Sequence, residues 1–228
     1  MNNCAIITAA GSGRRMNSEM KKQFIEIGNK PILLHTLDTF VEAKAFQKII
    51  ITCPAPDIDF LHELLFQFYD YDPNLIIIIK GGSRRQDSVY NALKTLDEKT
   101  EIVSIHDSVR PFVKVSEILQ SIEMAKQYGA VTLAHPVKNT IKKVKDDQVI
   151  ETLDREQLWE VYTPQTFSFD QIMEAHRQAD EKNISVSDDA ELIELIGLPV
   201  HVLKGTSLNI KITDPVDLIL AKLLIKEI

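Results

Sequence analysis

Cysteine is nearly missing from this 228-residue chain: Cys4 and Cys53 are the two present, each beside an apolar run. That excludes a disulfide-stapled scaffold and points to two buried thiols in a reducing compartment. No Cys/His set falls at zinc-ligand spacing, and the six histidines are scattered. No apolar run approaches the ~18 residues that a membrane-spanning helix needs. The first residues show no charged-then-apolar leader pattern, so the expected compartment is the cytoplasm. Positive charge is also short, with 26 Lys and Arg against 33 Asp and Glu and a formal net charge of −7. An acidic whole argues against nucleic-acid binding, which needs a basic surface. Any anionic ligand must therefore be met by a concentrated basic pocket. Repeats, low-complexity tracts and linkers are absent as well, so residues 1–228 read as one domain.

What is present is an alternation of β-rich runs and amphipathic helical patterns. Expected strands lie at Ala5–Thr8, Ile49–Ile51, Leu75–Ile79, Ile102–Ile105, Val131–Ala134 and Val200–Leu203. Helical spacing is expected from Pro31 through Val41, over Leu61–Phe68, and from about Ser88 to Leu96. A further helix is expected from an N-cap near Ser116 to Tyr128-Gly129. Helices resume near Phe169 and Asp188, and Thr213-Asp214-Pro215 caps a last one ending at Ile228. The strands are continuous apolar runs, so helices should cover both sheet faces. The fold class is α/β: a Rossmann-like, doubly wound, mostly parallel sheet. The pattern breaks over 138–157, where two alternating runs flank Lys145-Asp146-Asp147 and read as a β-hairpin. That hairpin has little apolar surface to bury on its own domain. It either lies on the surface or, as is expected here, protrudes as a dimerisation arm that offers Ile141, Val144, Val149 and Ile150 to a second subunit.

Three loops concentrate the chemistry. Ala10, Gly11, Ser12 and Gly13 follow the first strand and lead to Arg14, Arg15, Lys21 and Lys22. Small residues let the backbone approach a ligand, and free N–H groups grip phosphate oxygens. Met16 stands where a dinucleotide fingerprint needs Gly or Ala, and no Gly-Lys-Ser/Thr follows. A second loop, Gly81-Gly82-Ser83-Arg84-Arg85-Gln86-Asp87-Ser88, leaves the third strand. The third, His106-Asp107-Ser108-Val109-Arg110-Pro111, leaves the fourth. Asp107, at a strand's carboxyl end, is placed to hold a metal or a ribose hydroxyl. Three such strand ends converging in a doubly wound sheet point to a nucleoside-triphosphate site.

Ala9 to Met16, Lys22-Gln23-Phe24, Gly81-Gly82 with Asp87-Ser88-Val89, and His106-Asp107 with Arg110-Pro111 occur in order. Asp154-Arg155, Thr163-Pro164-Gln165 and Asn209-Ile210-Lys211 complete the series. Across essentially its whole length the chain thus resembles the 2-C-methyl-D-erythritol 4-phosphate cytidylyltransferases of isoprenoid biosynthesis. The resemblance implies transfer of CMP from CTP to that phosphorylated polyol, with Mg²⁺ as cofactor. It implies that Arg15 and Lys22 stabilise charge on the α-phosphate. Arg155 and Lys211 would position the acceptor phosphate. Asp107, Arg110, Thr140 and Thr163 would complete the acceptor pocket. Ala10 to Gly13, Gly82, Ser88 and Asp107 would hold the nucleotide, with Asp107 toward the metal. It also implies a homodimer with exchanged arms, the arm of one copy bringing Thr140 and Arg155 to the other.

Some positions depart from the family pattern: Lys21 replaces a usual Pro, Ser83 a common acidic residue, and Ser187 a frequent Thr. None removes an expected catalytic group. The rival acceptor is ribitol 5-phosphate, for which the His106 to Phe112 loop would also serve. Two other readings are an NAD-binding redox protein and a non-catalytic nucleotide-binding module. The first needs an acidic residue where Thr52-Cys53-Pro54 stands. The second is disfavoured by the presence of Arg15, Lys22 and Lys211.

Overall fold

The computed structural model describes residues 2–11, 21–70 and 72–226. Strand β1 (Asn3–Thr8) opens the central sheet, and a short pair, β2 (Glu26–Ile27) and β3 (Lys30–Pro31), precedes helix α1 (Ile32–Glu42). Then follow β4 (Lys48–Cys53), α2 (Ile58–Phe68), β5 (Ile76–Lys80), α3 (Arg85–Leu93) and β6 (Ile102–Asp107). Helix α4 (Val115–Tyr128) and β7 (Ala130–Pro136) lead to a hairpin of β8 (Lys142–Lys145) and β9 (Gln148–Thr152). The chain closes with β10 (Trp159–Ser168), α5 (Phe169–Glu181), α6 (Asp189–Leu195), β11 (His201–Lys204) and α7 (Pro215–Leu224).

Among the described residues, seven strands form one sheet in the order β11-β7-β10-β6-β1-β4-β5. All of its pairings are parallel except those of β10, which runs antiparallel to both β6 and β7. The expected α/β sheet is present, and the strand alternation explains its two cores. Ala5, Ile7, Ile49 and Ile51 face Leu37, Leu65 and Ile122 of α1, α2 and α4. Their sequence neighbours Cys4, Ile6 and Ile50 face Leu93 and Ile172 of α3 and α5. Each fully buried Ile or Leu contributes roughly 1.5–3 kcal/mol before entropy is charged against it. Cys4 and Cys53 are free and buried, and burial pushes their thiols up to about 12 and about 11. No described helix is long and apolar enough to cross a membrane.

Four expectations need correction. Strand β10 went unseen because Pro164 sits inside it and the register with β7 shifts between Tyr162 and Gln165, breaking the period-two pattern. Helix α3 begins at Arg85 and ends at Leu93, because the Asp87 carboxylate accepts the Arg84 N–H at 3.0 Å. Ser116 lies within α4; Lys114 caps it, its N–H donating to Glu117 at 3.0 Å. The last helix stops at Leu224, before the expected Ile228.

The hairpin lies where it was expected. Asp146 and Asp147 take positive φ of 49° and 60°, and the flanking pair Lys145–Gln148 leaves a two-residue turn. That turn's twist matches the strands it joins, and Asp tolerates its backbone. Val144, Val149 and Ile150 are 55%, 60% and 56% exposed.

Candidate active site

Parallel strands end on one side of the sheet, so the loops after β1, β5 and β6 converge there. With the segment that carries Lys211, they enclose a cavity of about 330 Å³ lined by Ala10, Gly11, Lys22, Gly82, Ser88 and Asp107. A second cavity of about 340 Å³ adjoins it, lined by Arg110, Tyr162, Thr163 and Ser187 among others. Arg85, Asp107 and Lys211 line both, and so form the seam between them.

The glycine loop is held shut by Ser88. Its hydroxyl accepts the Gly82 N–H at 3.0 Å and donates to the Arg84 carbonyl at 3.0 Å. Close approach explains both glycines. A Cβ on Gly81 would lie 2.7 Å from the Ala10 Cβ, and one on Gly82 would run into the Cβ of Asp87. On the first loop, Gln23 donates to the Ala9 carbonyl at 2.8 Å and ties that loop to the Lys22 turn.

Asp107 is the electrostatic centre. Its Oδ1 accepts from Arg85 Nε at 3.0 Å, while Oδ2 lies 2.9 Å from Lys211 Nζ and 3.3 Å from Arg110 Nε. Burial alone would push this carboxyl up. Arg85, Lys211 and Arg110 more than offset that and hold it well below the usual carboxylate range. Thr163 fixes the backbone: its Oγ1 accepts the Asp107 N–H at 3.0 Å, and its carbonyl accepts from Asn209 at 2.8 Å. Arg110 is placed by a 2.8 Å bond to the Asn209 carbonyl and by the Tyr162 ring, 5.7 Å from its centroid. The cluster is cationic on balance, as an anion site requires.

The structure thus brings together Ala10, Gly11, Lys22, Gly82, Ser88, Asp107, Arg110, Thr163 and Lys211. Thr140 and Arg155 stand apart. Both are exposed at the base of the hairpin, Arg155 donates to the Lys138 carbonyl at 3.2 Å, and neither lines either of these two cavities. Ser12, Gly13, Arg14, Arg15 and Met16 lie outside the described residues. Sequence reasoning missed Arg85 as a site residue. Two arginines stand side by side there, and the sequence does not say that Arg84 pairs with Asp87 at 2.6 Å while Arg85 reaches Asp107 at 3.0 Å. Gln165, Asn209 and Asp189 were missed too; their contacts join segments far apart in the chain.

For a divalent metal, the described residues hold no group of three His, Cys, Asp or Glu side chains that could cage one. Asp107 is the carboxylate that lines both cavities. With both oxygens engaged by Arg85, Lys211 and Arg110, that carboxylate suits Mg²⁺ as an ion carried on a triphosphate, which would be held mainly by substrate phosphates.

The family model of 2-C-methyl-D-erythritol 4-phosphate cytidylyltransferase matches residues 3–227. The 2-C-methyl-D-erythritol 4-phosphate cytidylyltransferase of Clostridioides difficile is 44% identical over 217 residues, covering 95% of this chain and 91% of that one. The enzyme of the same name from Desulforamulus reducens is 40% identical over 223 residues, covering 97% of this chain and 95% of the relative. Among solved structures, the 4-diphosphocytidyl-2C-methyl-D-erythritol synthase of Anaerococcus prevotii superposes with a TM-score of 0.87 at 33% identity. That match covers 99% of this chain and 98% of the other.

Proposed function

The chain belongs to the 2-C-methyl-D-erythritol 4-phosphate cytidylyltransferase family, and from that premise we propose how its residues divide the work. The reaction joins CTP to 2-C-methyl-D-erythritol 4-phosphate, giving 4-diphosphocytidyl-2-C-methyl-D-erythritol and diphosphate for isoprenoid biosynthesis. An oxygen of the acceptor phosphate attacks the α-phosphorus of CTP. The bond from that phosphorus to the bridging oxygen breaks, and diphosphate leaves with the electron pair.

The first cavity takes the nucleotide, on Ala10, Gly11, Gly82 and Ser88; the family resemblance gives Ser12 and Gly13 the same task. The second takes the acceptor, between Asp107, Arg110 and Thr163. Lys211 at the seam holds the acceptor phosphate and Lys22 faces the α-phosphate; Arg15 is assigned to that same phosphate by the family resemblance. Two phosphates must meet, so the barrier is largely like-charge repulsion and growing negative charge. Fixed cations answer both. The nucleophile is already ionised near neutral pH, so no general base is needed. Mg²⁺ held by the triphosphate oxygens and Asp107 would supply further charge neutralisation.

The observation that carries this reading is the seam: two cavities of similar size meet at Arg85, Asp107 and Lys211. Thr140 and Arg155 serve the same site from the neighbouring copy of a homodimer, through an exchanged arm. On this reading 1–228 is one nucleotidyltransferase domain, with 138–157 as its arm, working in the cytoplasm where CTP is made.

The deciding experiment follows diphosphate release from CTP and Mg²⁺ with methylerythritol 4-phosphate or ribitol 5-phosphate in parallel. Strong preference for the first acceptor is expected, and Arg155→Ala should then lower turnover about tenfold or more. Preference for ribitol 5-phosphate would overturn the acceptor assignment.

A further inference from the structure

Behind the seam, a buried ionic chain runs into the protein through side chains that have no task so far. His176 Nε2 lies 3.1 Å from Asp189 Oδ1, and each of these side chains is 1% exposed. Asp189 Oδ2 accepts from Arg85 Nη1 at 2.5 Å, and Arg85 Nε donates to Asp107 Oδ1 at 3.0 Å. We infer that Arg85 is a positioning residue for cytidylyl transfer: held from behind by Asp189, it clamps Asp107 Oδ1 and leaves Oδ2 aimed at Lys211 and Arg110.

Several observations converge on this. Arg85 lines both cavities, so it sits where the two substrates meet rather than in a remote structural pair. Its planar fork spends one edge on each of two carboxylates, an arrangement a lysine cannot copy. Asp189 is itself fixed: the Gln165 side-chain oxygen accepts its N–H at 3.0 Å, and that of Ala190 at 3.2 Å. The clamp is therefore anchored in β10 and at the start of α6. Charge balance gives it a purpose. The second cavity is lined by Arg85, Arg110 and Lys211 against Asp107 and Asp188, so its wall keeps one surplus positive charge. Remove Arg85 and that surplus vanishes. Asp107, keeping at Oδ1 the 3.4 Å bond from the Thr8 hydroxyl, would lean further onto Lys211 and Arg110 and hold more tightly the ammonium that an acceptor phosphate needs. The nucleotide loop is held separately, by Ser88 and Gly82, and should feel little of this.

The test compares wild type with Arg85→Met, Arg85→Lys and Asp189→Asn in steady-state kinetics, with melting temperatures alongside. Arg85→Met should raise the acceptor KM about tenfold or more, as loss of one partner in a buried charge network does, while the CTP KM moves less than about threefold. Arg85→Lys should recover part of the loss, because the charge returns but the fork does not. Asp189→Asn should shift the acceptor KM in the same direction by a smaller factor. An unchanged acceptor KM in Arg85→Met, or an equal rise in both KM values, overturns the inference. If Arg85→Met does not fold, Asp189→Asn decides, and an acceptor KM equal to wild type overturns it. This inference rests on the reading above. A wild-type enzyme inert toward methylerythritol 4-phosphate sinks that reading, whereas an active wild type with an indifferent Arg85→Met sinks only the clamp.

Discussion

At the seam, charged side chains find their partners inside the chain: Asp107 meets Arg85, Arg110 and Lys211, and Arg85 meets Asp189. On the hairpin the pattern reverses. Val144, Val149 and Ile150 are each more than half exposed, and Lys142 to Thr152 contribute no residue to the buried cores. One region is specified by its own fold. The other is a stable hairpin in shape but carries apolar surface that its own domain does not cover. The difference teaches that activity and foldability are written in separate places, and that each can be broken without the other.

The sharpest break should come at Lys211. Replacing it with Met leaves its stem but removes the charge, and kcat/KM should fall about 10²- to 10³-fold while the melting temperature stays near that of wild type. A loss smaller than about tenfold would mean that the seam is not where the phosphates meet. Next in size is the acid response of the buried side. Burial pushes the His106 imidazole down to about 4. An unfolded histidine titrates near 6.5, so between those values the unfolded chain takes up a proton that the folded one refuses. Stability should therefore be intact above pH ~6.5 and decline by a few kcal/mol as the pH falls toward ~4. Asp189 continues the loss below the ordinary aspartate range: burial raises its carboxyl, but Arg85 and then His176 bring it down overall. Urea midpoints against pH for wild type and His106→Asn check this, and the slope between 6.5 and 4 should flatten in the variant.

A smaller effect is expected at Gly82. Its Cβ would run into Asp87 and lie 2.9 Å from the Asp87 carbonyl carbon, so Gly82→Ala must move backbone. The cost should be ~1–3 kcal/mol of stability, with a raised KM for CTP and little change for the acceptor. The smallest folding effect belongs to the arm. Ile150→Asp should alter unfolding free energy at fixed protein concentration by less than ~0.5 kcal/mol in the isolated chain. On the proposed exchange of arms, sedimentation should nevertheless show a shift from dimer toward monomer. A large drop in stability without any change in association would erase the contrast between the two regions.

Much of this was legible beforehand, for identifiable reasons. Strands buried on both faces leave unbroken apolar runs, so Ile49 to Ile51 announced their place. Glycines and basic residues after strand ends marked the loops that line the first cavity. Strand β10 was hidden because Pro164 interrupts its pattern, and with it went the antiparallel insertion between β6 and β7. Arg85 and Asp189 were hidden for another reason: their pairing spans 104 positions, and nothing local to either residue announces it.

Strand β10 has one more consequence. It starts at Trp159, paired with Pro136 at the foot of the hairpin, and runs on to the buried Phe167. Midway it carries Thr163, which holds the N–H of Asp107, and Gln165, which holds that of Asp189. The hairpin's footing and the wall of the second cavity are thus two stretches of a single rod. Shortening or lengthening the chain between Leu153 and Trp159 would rotate or slide that rod. Such changes would be read out at Asp107, a residue that the altered segment never touches.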